Sequence, residues 1–124
     1  MKYKYIIQEM KESGSPAMRA FVHDMEKIGK LTSKQRHYYL ENRQMPDAIN
    51  IIVKDFIPYT IKMAYRYRRC NKMLTMLDLV NEGIFGTYAA LKRREGSGMA
   101  MTRYINAYIR YYIKSSIYNY KSKN

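Results

Sequence analysis

Apolar residues recur along this chain at spacings of three and four, and alternation with period two is scarce, so the pattern predicts helices almost throughout. Residues 1–14 read as a loose arm, with a short strand over Lys2–Ile7 (KYKYII) as the competing possibility. A first helix is expected to start at Ser15-Pro16, with Ser as N-cap and Pro in the first turn. Phe21, Met25 and Ile28 share one of its faces, and Gly29 is placed to end it. Thr32 with Gln35 forms a capping-box pattern for a second helix running to about Arg43. Pro46 opens a stretch through Phe56, and Pro58 is expected to break or kink it before a helix that carries Ile57, Ile61 and Ala64 on one face. Cys70-Asn71-Lys72 reads as a turn. Thr75 with Asp78 caps a helix to about Arg93, Glu95–Gly98 is a loop, and a last helix is expected over Thr102–Tyr118.

The last helix carries the most information. At about 100° per residue its side chains sort into three stripes. Ile105, Ile109, Tyr112, Ile113 and Ser116 form the expected core face. Arg103, Ala107, Arg110 and Lys114 form a basic stripe, and Tyr104, Tyr108, Tyr111, Ser115 and Tyr118 lie beside it. One buried face suffices for packing, so the tyrosine stripe is surplus unless the helix is covered on two sides. Tyrosines at the edge of a core are common. Beside a basic stripe they fit single-stranded nucleic acid, whose bases stack on rings while cations track the phosphates.

The charge distribution sharpens this reading. The 124 residues carry a net charge of +13. Residues 1–56 hold ten Lys and Arg against seven Asp and Glu, whereas residues 57–124 hold thirteen against three. The arginines Arg66, Arg68 and Arg69 close the helix after Pro58, and no acid follows Glu95. An acidic partner is implied. The length suits one domain. No run approaches the ~20 apolar residues of a membrane span, and the N-terminus has no apolar segment of the secretory kind. The single cysteine, Cys70, excludes an internal disulfide, and a reducing cytoplasm is expected. No metal site, cofactor site or catalytic group is expected: the chain lacks a glycine-rich phosphate loop, and its two histidines, His23 and His37, have no nucleophile to serve. His23 reads as a surface residue.

Three segments in order resemble region 2 of the sigma-70 family of bacterial transcription initiation factors. Asp55–Arg69 (DFIPYTIKMAYRYRR) is similar to the first helix of that region. Leu77–Leu91 (LDLVNEGIFGTYAAL), with Asp78, Asn81, Glu82 and Gly83, is similar to the helix that docks on the clamp coiled coil of RNA polymerase. Met101–Ile117 (MTRYINAYIRYYIKSSI) is similar to the helix that reads and melts the minus-ten element. Upstream, Phe21–Leu40 resembles region 1.2, where His37 is a lesser candidate for a DNA contact.

The resemblance implies an all-α, compact, multi-helix region-2-like domain: an arm (1–14), region-1.2-like helices (15–45), the region-2-like part (46–120) and a tail (121–124). It implies a non-catalytic subunit that binds core RNA polymerase through Asp78, Leu79, Asn81, Glu82 and Phe85. It implies promoter binding, on the non-template strand, by Tyr104, Tyr108, Tyr111, Arg103, Arg110 and Lys114, with Arg66, Arg68 and Arg69 as further basic contacts. Without the family, Asp78 reads as a helix cap and Glu82 as a solvated side chain. Gly83 and Gly86 are costly inside a helix and point to close approach of another helix, from a partner or from the chain itself.

The chain also departs from the family. Tyr108 stands at the second of two adjacent tryptophan positions and Ala107 at the first, so the wedge that replaces a flipped base is missing there. Tyr111 stands at a polar base-reading position, and the loop before the last helix is the looser GSGMAM. Little chain follows the region-2-like part, so no reader of the minus-thirty-five element is expected. The nearest type is the minimal sigma factor of some bacteriophages, which relies on a co-activator for upstream contacts. A decoy occupying the sigma site on polymerase, and a general basic nucleic-acid binder, are the alternatives.

Overall fold

Ile105, Ile109 and Ile113 are completely buried, and the rest of the protein is arranged around that line of side chains. In a computed structural model, which describes residues 2–27, 29–93 and 98–122, the fold is all-α. The helices are α1 (Lys2–Ser13), α2 (Pro16–Glu26), α3 (Ser33–Glu41), α4 (Ala48–Tyr67), α5 (Met76–Arg93) and α6 (Gly98–Ser122). α4, α5 and α6 form the central unit, in which α5 packs most extensively on α6 and next on α4. α1 and α3 pack on α4, α3 also meets α6, and α2 packs on α1.

Three helix starts follow from local chemistry. The Ser15 hydroxyl accepts from the Met18 N–H at 3.2 Å, with Pro16 at the first helical position. Thr32 and Gln35 form a reciprocal capping box. Thr75 and Asp78 repeat the exchange at the start of α5, with bonds of 2.9 and 3.1 Å. Asn71 holds the turn before it: its side chain donates to the Ile117 carbonyl at 3.0 Å and accepts from the Met73 N–H.

Lys2–Ser13, within the expected arm, is a helix and not a loose segment or a strand. Tyr3, Ile6, Ile7 and Met10 fall at helical spacing, and Ile6 and Met10 are 2% and 3% exposed. Alternating Lys and Tyr at its start imitates a strand; burial of the i, i+3, i+4 face decides for the helix. Tyr65 on α4 donates to Glu9 at 2.6 Å and ties α1 down.

α4 runs unbroken through Pro58, contrary to the expected break. A proline inside a helix costs ~3 kcal/mol or more. Both halves of α4 bury side chains in one core, Ile52, Val53 and Phe56 before the proline and Ile61 and Ala64 after it. Each large side chain so buried contributes about 1.5–3 kcal/mol, which outweighs the loss. The helix starts at Ala48 rather than at Pro46, after Asp47 in the left-handed region at φ 67°.

α6 is longer than expected at both ends, and Met101 in its first turns is buried, so GSGMAM is not wholly loop. The expected tail is helical as far as Ser122. The predicted loop over 95–98 lies outside the described residues except for Gly98, as does Ile28. α2 ends at Glu26, before Gly29.

Candidate nucleic-acid interface

α5 and α6 approach so closely that their backbones nearly touch. A Cβ on Gly86 would lie 2.7 Å from the Tyr108 carbonyl oxygen, and one on Gly83 would collide with the Thr60 methyl group. The two glycines therefore serve packing within the chain. Their effect is to fix α6 by its inner face and leave two flanks at the surface.

The first flank is aromatic. Tyr104 donates its hydroxyl hydrogen to the Tyr108 hydroxyl at 3.0 Å, with ring centroids 4.7 Å apart. The Tyr108 and Tyr112 rings follow at 6.2 Å and only 24° from parallel. Tyr111 meets Tyr112 edge-on at 6.1 Å. Tyr104, Tyr108 and Tyr112 are half-buried, whereas Tyr111 and Tyr118 are 68% and 72% exposed. Tyr112 thus belongs to the tyrosine ladder and not to the core face where the periodicity assigned it. Its four-residue spacing from Tyr108 decides this, because each ring leans over the preceding turn.

The second flank is basic. Arg110 donates from Nη1 to the Tyr59 hydroxyl at 2.6 Å, and Lys114 Nζ lies 5.7 Å from the centre of the Tyr67 ring. Neither cation has a carboxylate partner among the described residues, and Arg110 keeps four further donors. Arg103 and Ala107 are exposed on the same side. Arg66 is exposed on the flank of α4 that carries Tyr59, seven residues earlier. Tyr59 and Tyr67 were not among the sequence candidates; their eight-residue separation, two turns of one face, was the available signal.

Arg68 does not join this surface. Its guanidinium sits 3.5 Å over the Tyr65 ring and bonds the Tyr65 carbonyl at 2.6 Å, while the Tyr65 hydroxyl goes to Glu9. It braces the tyrosine that ties α4 to α1. Arg69 is exposed beyond the end of α4.

On α5, Asp78, Asn81 and Phe85 are exposed and Glu82 is half-buried, all on one outward stripe. Leu79 is 1% exposed and packs in the core, so it is no docking residue; it follows Asp78 in the chain but is turned about 100° around the helix from it. Asp78 also performs the capping role described above. Burial, and secondarily the neighbouring Asp78 charge, raises the Glu82 carboxyl above its ordinary range. Glu82 lines a shallow groove with Tyr111, Tyr112, Lys114, Ser115 and Tyr118. The acidic stripe of α5 and the tyrosine flank of α6 are therefore one continuous surface that meets at Glu82, which the separate sequence motifs did not indicate.

His23, His37 and Cys70 are exposed on separate parts of the chain. Among the described residues no three metal-ligating side chains come together, and no helix is long and apolar enough to cross a membrane. No protein-family model matches this chain, and no curated protein matches it.

Proposed function

We propose that this protein is a minimal sigma-type initiation factor. It engages core RNA polymerase through the exposed stripe Asp78, Asn81, Glu82 and Phe85, and holds unpaired promoter bases along α6. The observation that carries the reading is the graded ring series Tyr104, Tyr108, Tyr112 and Tyr111 beside cations that have no carboxylate partner among the described residues. In this mechanism Arg110, Lys114, Arg103 and Arg66 position the strand by its phosphates, and exposed Tyr111 offers its face to a base. Such stacking contributes about 1–3 kcal/mol per base, enough to keep an opened strand from re-pairing at an AT-rich step. Glu82 borders both functions, so polymerase docking and strand capture share an edge.

A second reading has its own observation. Ala107 is exposed on α6 where the resembled family carries a base-displacing tryptophan. A chain that docks without a wedge is a decoy for the sigma site. Transcription by bacterial core polymerase on an AT-rich template library, with and without the chain, separates the readings. Defined starts below a shared short motif support the initiation factor. Loss of host-sigma transcripts without new starts supports the decoy. Neither effect removes polymerase and leaves a general nucleic-acid binder. Docking is tested directly by Asp78→Lys with Glu82→Lys: undiminished polymerase binding sinks the proposed stripe.

A further inference from the structure

One concavity of the described residues lies away from the tyrosine flank, between α1, the end of α2 and the outer side of α4. It is a groove of about 740 Å³, a size at which protein pockets hold ligands. Tyr3, Ile7, Met25 and Pro58 form its apolar lining. The Tyr3 hydroxyl donates to the Met25 sulfur at 2.9 Å, which braces that surface. Burial, with Glu26 nearby, pushes the Tyr3 phenol up to about 12, so the ring remains neutral.

Five lysines stand around this floor: Lys4, Lys11, Lys30, Lys54 and Lys62, all exposed. The two carboxylates in the wall are already paired, one of them with a lysine of the groove. Glu26 pairs with Lys11 at 2.8 Å, and Asp55 pairs with Arg36 and accepts from the Leu31 N–H. Lys4, Lys30, Lys54 and Lys62 therefore face the groove without a carboxylate partner among the described residues. The proline adds a backbone feature. Pro58 has no N–H, so the Lys54 carbonyl lacks its usual intrahelical donor, and both residues line the groove.

We propose that this groove receives an acidic peptide segment of a partner protein, an apolar side chain resting on Ile7, Met25 and Pro58 and carboxylates reaching the four unpaired lysines. Charge complementarity selects an acidic occupant. The choice of peptide over nucleic acid rests on three features. The cations are all lysine, with none of the arginine forks that grip phosphate in two places. The one ring present, Tyr3, is half-buried and braced, so it offers no stacking platform of the kind α6 displays. The Lys54 carbonyl, which Pro58 deprives of its usual donor four residues on, can accept from a peptide N–H, a group that a phosphodiester backbone does not have. The site is separate from the tyrosine flank and does not depend on the function proposed for it.

The test is fluorescence anisotropy of the full chain with a fluorescein-labelled peptide, (Asp-Glu-Leu)4, against (Ser-Gln-Leu)4. Lys54→Gln with Lys62→Gln is expected to weaken the acidic peptide about five- to tenfold, as two solvent-exposed ion-pair partners are removed. The control pair Lys34→Gln with Lys92→Gln removes equal charge from exposed positions outside the groove and is expected to weaken it by less than about twofold. All four positions are exposed, so unchanged thermal melting is expected and is recorded for each variant. Equal losses in the two pairs would overturn the proposal in favour of diffuse attraction to net charge. Displacement of the bound peptide by the single strand dT12 would overturn it in favour of a nucleic-acid track. Absence of binding at about 1 mM, or equal binding of the uncharged peptide, would also overturn it.

Discussion

The two attachments of α4 differ in kind. Toward α5 and α6 it joins an apolar seam: Gly83 admits Thr60, Gly86 admits the α6 backbone, and the isoleucines of α6 are fully buried. Toward α1 and α3 the apolar core continues through Ile6, Met10 and Leu40, and polar ties are added at the rim: Tyr65 to Glu9, and Asp55 to Arg36 and the Leu31 N–H. The seam is set by shape and the ties are set by charge and hydrogen bonding. The candidate strand-binding flanks ride on the seam, where apolar packing is indifferent to salt. The lysine groove lies among the polar ties, where protonation and ionic strength reach the contacts directly. A surface that must hold rings in register gains from the first kind of support, and an adaptable docking groove tolerates the second.

The strongest break in this comparison is expected at Asp55. Its side chain is 2% exposed, and Asp55→Ala leaves Arg36 without its carboxylate and the Leu31 N–H without its acceptor. Loss of one partner of a buried pair costs ~3–5 kcal/mol, and the lower end applies because the Arg36 side chain keeps 22% exposure. Urea denaturation reads the loss. The double variant Asp55→Leu with Arg36→Met should recover most of it; if it does not, the tie has a packing role beyond its charges.

On the apolar side, Gly86→Ala puts a methyl group against the Tyr108 carbonyl, a backbone atom that cannot turn away. Overpacking of this kind costs about 1–3 kcal/mol, against a gain of about 1 kcal/mol in helix propensity. A net fall in the denaturation midpoint is expected, together with altered fluorescence of the tyrosine ladder. A rise in stability would mean that the seam has slack.

Tyr111→Ala separates function from packing. The ring is 68% exposed, so melting should change little, while affinity for a single-stranded oligonucleotide should fall by about 1–3 kcal/mol per base it stacks. Equal affinity of wild type and variant would remove Tyr111 from the interface.

The smallest effect is expected at Glu82. Its carboxyl is raised in the folded state, so the folded protein binds that proton more tightly than the unfolded chain does. The ionised carboxylate is therefore a destabilising feature above its folded value, and the penalty disappears as pH falls through that value toward the unfolded one. Glu82→Gln should raise the melting temperature slightly at neutral pH, with the difference vanishing near about pH 4. A difference that persists in acid would show that shape, and not charge, is responsible.

Sequence logic reached unevenly into this molecule, and the boundary follows interaction range. Ser15, Thr32 with Gln35, and Thr75 with Asp78 were legible because a cap bonds residues only three apart, whatever lies around them. The core isoleucines of α6 were legible because period 3.6 over a long helix averages out local exceptions. Leu79 was misassigned since a motif places residues along the chain and not around it. The stacking of Arg68 on Tyr65 was not legible, since the Tyr65–Glu9 link beside it joins residues 56 positions apart.

By itself, then, the sequence determined an all-α chain, its helix starts, the inner face of α6, and a surplus of cations and tyrosines at one end. Those properties depend on neighbours within one or two helical turns. Tertiary structure alone decided that 2–13 is a helix, that α4 passes through Pro58, that Tyr112 joins the ladder, and that Glu82 borders the tyrosine flank. In each case the local preference is weak or contrary, and side chains brought in from other helices settle it: burial offsets the proline, and the glycine seam turns α5 and α6 until their outer stripes meet.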